Sequence, residues 1–166
     1  GRYDLAEPML EKSLALRTEV LGEKHPDTLT SLDNLAMLYQ DQGRYDLAEP
    51  MLEKSLALRT EVLGEKHPDT LTNLNNLALL YAVQGRYNLA EPMYEKVHAL
   101  TAEVLGEKHP DTLRSLNNLA MLHAGQGRYD LAEPMLEKSL ALSTEVLGEK
   151  HPRTLRSLNN LALLYN

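Results

Sequence analysis

Asparagines recur in this sequence at a fixed step, and their side chains carry the same donors and acceptor that a peptide backbone offers. Asn34, Asn76, Asn118 and Asn160 stand 42 residues apart, with Asp33, Asn75, Asn117 and Asn159 beside them. A row of such amides can pair with the N–H and C=O groups of an extended chain. Two more rows keep the step. Met37, Leu79, Met121 and Leu163 supply adaptable apolar contact, while Thr30, Thr72, Arg114 and Arg156 pass from neutral to cationic along the chain. Histidines recur too, at His25, His67, His109 and His151, each within an EKHP segment. These invite a metal hypothesis that geometry discourages: packed helix layers lie roughly 8–10 Å apart, whereas two zinc ligands must both come within about 2 Å of one ion. No metal is expected, and a role in starting helices is. Two other histidines break the repetition. His98 replaces the Leu of the other copies, and His123 stands where they have Tyr39, Tyr81 and Tyr165. If the helices carrying them pack together, both imidazoles meet in one core, as a hydrogen-bonded pair or, in the sharper alternative, as a pH- or metal-sensitive one.

Catalytic chemistry finds no foothold. The chain has no Cys, no Gly-rich phosphate loop, and no Ser or Thr beside a His that a carboxylate orients. Because the repeats are nearly alike, a unique active site has nowhere to be singular, so neither enzyme nor cofactor is expected. A net charge of −7 argues against nucleic acid, whose binding needs a basic footprint. No apolar run approaches the roughly 20 residues of a membrane span. The missing cysteines fit a reducing compartment, and a cytoplasmic location is expected.

The elements that must position these rows follow from periodicity. A long helix is expected from about Asp4 to Leu21, opened by a capping box of Asp4 and Glu7, with Pro8 in or just after its first turn. Its apolar positions, from Leu5 and Ala6 to Val20 and Leu21, cover more than half the circumference, which predicts helices on two flanks. Gly22 suits a left-handed C-terminal cap. Pro26 then opens a shorter helix as its first residue, running to about Gln42 before Gly43. On it Leu29, Leu32, Leu35, Ala36 and Tyr39 form one buried face, and Thr30, Asn34, Met37 and Asp41 form the opposite ridge. Both helices recur in every 42-residue copy. With A for the short helix and B for the long one, the chain reads as an unpaired B at 1–22, three A-B repeats at 26–64, 68–106 and 110–148, and an unpaired A at 152–166. The fold class is all-α with eight helices, in which repeats and their interfaces supply the stability that a central core would supply elsewhere.

Leu32-x2-Leu35-Ala36-x2-Tyr39, followed by Gly43, Tyr45 and Ala48-x3-Leu52, resembles the tetratricopeptide repeat. The 42-residue period and the LRTEVLGEKHPDT segment resemble more narrowly the repeats of kinesin light chain and of related bacterial multi-repeat proteins. Leu32 stands where the family pattern has Trp, and Ala36 where it has Gly. The resemblance implies a right-handed superhelix with the A helices lining a concave groove. It places Asn34, Asn76, Asn118 and Asn160, Asn75 and Asn117, and the Met37 and Thr30 rows along that groove, facing an extended peptide or partner protein. Kinesin light chains take acidic, tryptophan-containing motifs in a basic groove; here only Arg114 and Arg156 supply that charge.

A second reading is structural. Neither end carries a polar capping helix, so the sequence is expected to be a piece of a longer array. The terminal helix at 155–166 of one copy would complete the repeat begun by the first helix of the next, giving head-to-tail self-association into an open superhelix. A designed consensus array is a third reading, against which stand Gly125 and the His98 cluster.

Overall fold

The computed structural model describes residues 2–165, and these hold eight α-helices: α1 (Tyr3–Leu21), α2 (Pro26–Asp41), α3 (Tyr45–Leu63), α4 (Pro68–Val83), α5 (Tyr87–Leu105), α6 (Pro110–Gly125), α7 (Tyr129–Leu147) and α8 (Pro152–Leu164). They fall into two compact units, Gly1–Leu80 and Tyr81–Asn166. In the first, α1 packs on α2 and α2 on α3; in the second, α5, α6, α7 and α8 pack each on the next, and α8 also touches α6. This is the sequential packing of a solenoid.

The connectors behave alike for a chemical reason. His25 is the N-cap of α2, and its ring Nδ1 accepts the backbone N–H of Asp27 at 3.1 Å. His67, His109 and His151 repeat the contact with Asp69, Asp111 and Arg153 at 3.1–3.2 Å. One orphan donor of the first turn is thereby satisfied, while the proline at the first helical position has no N–H to satisfy. At its other end α2 closes with two reversed bonds, Arg44 N–H to Tyr39 O at 2.8 Å and Gly43 N–H to Gln40 O at 2.9 Å. Gly43 sits at φ +73°, as this closing motif requires.

The buried face of α2 holds Leu29, Leu32, Leu35, Ala36 and Tyr39, as the periodicity predicts. Ala36 and Ala48 have no exposed surface, nor do their copies Ala78, Ala90, Ala120 and Ala132. Methyl side chains at these points let the short and long helices approach closely.

Three local expectations fail. Asp4 and Glu7 form no capping box: α1 starts at Tyr3, its N-cap Arg2 makes no side-chain cap bond, and the Glu7 carboxylate accepts two bonds from Arg44 at 2.7 and 2.8 Å. That long-range pairing, with Gln42 assisting, holds the Glu7 carboxyl below its ordinary range. Gly22 is not left-handed helical but extended with positive φ, at φ +88° and ψ 162°, a region open essentially to glycine alone. Finally, α1 is not covered on two flanks. None of its residues is buried, whereas the identical sequence in α3 buries Ala48, Leu52, Ser55 and Arg59.

Candidate functional site

In the first unit the rows read from the sequence converge. Thr30, Asn34 and Met37 from α2, with Thr72 and Asn76 from α4, line a depression of about 270 Å³. Asp33, Arg59 and Asp69 complete its wall. Helical spacing explains the meeting: Thr30, Asn34 and Met37 lie three and four residues apart on one ridge. Thr30, Asn34 and Met37 are exposed and Asn76 half-buried, so the surface combines amides, hydroxyls and one thioether.

Beneath this surface lies a charged junction. Arg59 of α3 is only 4% exposed, yet its Nη2 donates to Asp33 Oδ2 at 2.9 Å and lies 3.4 Å from Thr30 Oγ1. Asn73 Nδ2, from α4, donates to Asp33 Oδ1 at 2.6 Å. Burial pushes the Asp33 carboxyl above its ordinary value, outweighing the downward pull of Ser55, Arg59 and Asn73. The Ser55 hydroxyl lies near enough to lower that carboxylate but falls short of full hydrogen-bond geometry. Arg59 Nε and Asn73 Oδ1 are also buried without partners.

The second unit separates what the first combines. Arg114, Asn117 and Arg156 line a cavity of about 60 Å³ with Pro110, Leu113, Ser143, Leu147, Arg153 and Ser157. Met121 and Leu163 line a different, apolar depression of about 300 Å³ with Ala124, Gly125, Tyr129 and Leu164. Asn118 and Asn160 are half-buried and line neither, and Asn75 and Leu79 line none of the three.

Asn117 corrects the sequence reading. It is 7% exposed, and the two N–H donors of its Nδ2 are shared among Leu113 O at 3.1 Å, Ser139 Oγ at 2.7 Å and Ser157 Oγ at 2.9 Å. Its donors are consumed inside the helix stack, because its position on α6 points between α7 and α8. The row of Asp33, Asn75, Asn117 and Asn159 is thus no uniform groove surface. Arg59, Ser143 and Arg153 were missed by sequence reasoning. Their signal was present as breaks in the repeat: positions 17, 59, 101 and 143 read Arg, Arg, Thr, Ser, and Arg153 replaces the Asp of three earlier copies.

The two unusual histidines do not meet. His98 Nδ1 lies 3.1 Å from Ser115 Oγ, in a cluster with Thr101, and burial pulls its pKa below the ordinary value. His123 lies eight residues beyond Ser115 on α6, about 12 Å along the axis. It is buried, with Nδ1 unpartnered. No group of three or more His, Cys, Asp or Glu suited to a metal occurs among the described residues. None of their helices is long and apolar enough to cross a membrane.

Comparison with known proteins agrees with the geometry. The chain is similar to the kinesin-light-chain-like protein of Podosopora anserina with nearly identical TPR-like repeats, at 32% identity and TM-score 0.82, over 99% of this chain and 78% of that one. A single-substitution variant of that protein gives 31% and 0.83 over the same shares. BtubC (BKLC) from P. vanneervenii is similar at 27% identity and TM-score 0.83, over 99% of this chain and 66% of that chain. No curated protein matches. The family described as Tetratricopeptide repeat matches residues 1–61, 30–96, 69–142 and 115–166. With the whole chain covered by overlapping matches and its helices packed in sequence, this protein belongs to the tetratricopeptide repeat family.

Proposed function

We propose that the chain is a non-catalytic scaffold that binds an extended peptide or partner segment along its A-helix ridges, with 26–64, 68–106 and 110–148 as its repeats. The observation that carries this is the convergence of Thr30, Asn34, Met37, Thr72 and Asn76 on one open depression. An amide pair there can bracket a peptide bond, and Met37, 46% exposed, can adapt to an apolar side chain. A cytoplasmic setting suits a chain without cysteine. Peptide display against the intact chain, followed by titration calorimetry, tests the reading. N34A with N76A should weaken a selected peptide by about tenfold, at roughly 0.5–1.5 kcal/mol per hydrogen bond. Unchanged affinity with heat signals mapped elsewhere would sink it.

A second reading, self-association, is favoured by α8. Leu155 and Leu158 are each 50% exposed there, whereas Leu113 and Leu116 at the same repeat positions on α6 are buried. Sedimentation of the 166-residue chain should show mass rising with concentration; a monomer throughout removes this reading.

A further inference from the structure

The junction beneath the groove occurs twice, two repeats apart, and the two versions differ in charge and in filling. Around the first-unit depression, Asp33 and Asp69 face Arg59 alone, which leaves one net negative charge. In the second unit Ser143 takes the repeat position of Arg59, and the volume that a guanidinium fills in the first unit becomes part of the cavity lined by Asn117, Ser143 and Ser157. Cations have moved to its rim. Arg114 and Arg156 stand where the first unit has Thr30 and Thr72, and Arg153 stands where it has Asp69. One carboxylate opposes the three: Asp111 Oδ1 lies 3.3 Å from Arg153 Nη1 and 3.8 Å from Arg114 Nη2. Arg156 has no ion pair among the described residues. The site therefore carries two net positive charges above a recess whose floor combines the buried polar side chains of Asn117, Ser143 and Ser157 with the apolar Leu113 and Leu147.

From this geometry we infer that the second-unit cavity is a phosphate-recognition site, taking the phosphorylated side chain of an extended segment. The inference deepens the groove reading for the α6 and α8 ridges and rests on it. Three guanidiniums offer more donors than the two oxygens of a carboxylate can accept, and their residual charge matches a dianion. A phosphoryl group brings about −1.5 to −2 charge and three acceptor oxygens. Arginine forks suit tetrahedral and planar oxyanions through paired N–H bonds, which a lysine rim would not provide. Pro110, in the wall, places the positive end of the α6 dipole beside the recess. Asn117 Oδ1, buried without a partner in the same wall, is an acceptor for the proton of a monoanionic phosphoryl group.

The test is an NMR titration of the intact chain, following backbone amides and arginine Nε–H groups. The probes are acetyl-Gly-phosphoserine-Gly-amide, its serine and glutamate counterparts, and inorganic phosphate. Saturable shifts are expected at Arg114, Arg153, Arg156 and Ser143, with the phosphopeptide at least about tenfold tighter than the glutamate peptide and weakened by salt. S143R, which restores the first unit's residue, should fill the recess and abolish binding. Should that variant fail to fold, R114Q with R156Q carries the test and should weaken binding about a hundredfold, roughly tenfold per charge-assisted contact. The inference is overturned by absence of saturable shifts, by equal affinity for the glutamate peptide, or by insensitivity to the arginine pair. Inorganic phosphate binding as tightly as the phosphopeptide would mark an adventitious ion only and overturn it as well. An uncharged library peptide that needs Asn34 and Asn76 would keep the scaffold reading while this site fails. Phosphopeptide binding without any library ligand would do the reverse.

Discussion

Asp33 and Asn117 occupy the same repeat position in the two units, yet each unit satisfies that position by different chemistry. In the first, a carboxylate is held by a buried arginine and an asparagine, Arg59 and Asn73. In the second, a neutral amide is held by two serines, Ser139 and Ser157. The helices around both are nearly the same sequence. A repeat interface thus tolerates an ionic or a neutral solution, provided each set of partners changes together. A buried ion pair is costly to break but not necessarily better than a neutral replacement, since two desolvation penalties oppose its attraction.

The largest effect is expected of D33N, which copies the second unit's residue without its partners. Arg59 would then be buried with only Asp69, 3.7 Å away, to oppose it. Urea unfolding should show a loss of about 3 kcal/mol. The concerted change D33N with R59S and N73S should recover most of that loss; failure to recover would mean the two junctions are not interchangeable. Next in size, N117A removes one amide that bonds to both serines and leaves a small void, for about 2 kcal/mol. Smaller again is the contrast between S139A and S55A. Ser139 accepts from Asn117 and donates to Leu113 O at 3.2 Å, so its loss should cost about 1 kcal/mol. Ser55 Oγ has no hydrogen-bond partner, and S55A should be near neutral.

The smallest expected effect is on the pH dependence of stability. Because burial raises the Asp33 carboxyl in the folded chain, the folded state holds its proton to higher pH than the unfolded chain does. Its contribution to stability is therefore fully present below the ordinary carboxylate range and is lost as pH rises through the raised value. Half-buried Glu7 and exposed Glu107, whose values are lowered, act in the opposite direction. The triple variant lacks the Asp33 carboxyl, so its profile should lack this contribution. A side-chain carbon titration should place Asp33 above a free aspartate; a midpoint at or below it would reverse the sign.

Helix order, the EKHP helix starts and the exposed ridge were legible because the 42-residue step repeats each local pattern four times. Leu29 to Tyr39 fall on one face by simple periodicity, and EKHP announces a helix start in every copy. What was not legible depends on residues far apart in sequence. Asp4 and Glu7 have capping-box spacing, but Arg44 draws Glu7 away. A helical wheel gives the direction of Asn117 but not its depth, which Ser139 and Ser157 decide from two other helices. His98 and His123 were placed together by helix order alone, although antiparallel neighbours meet in register, and eight residues of α6 separate their levels. The groove charge was half visible: Arg114 and Arg156 stood out, while Ser143, which opens the recess they rim, looks ordinary until compared with Arg59.

The histidine caps carry one more consequence. Each connector imidazole accepts at Nδ1, so its ring proton must sit on Nε2, and a single tautomer is fixed at four places by backbone geometry alone. In an architecture whose stability is summed over neighbouring repeats, the same small bond recurs at each of these joints, and its contribution is multiplied by their number.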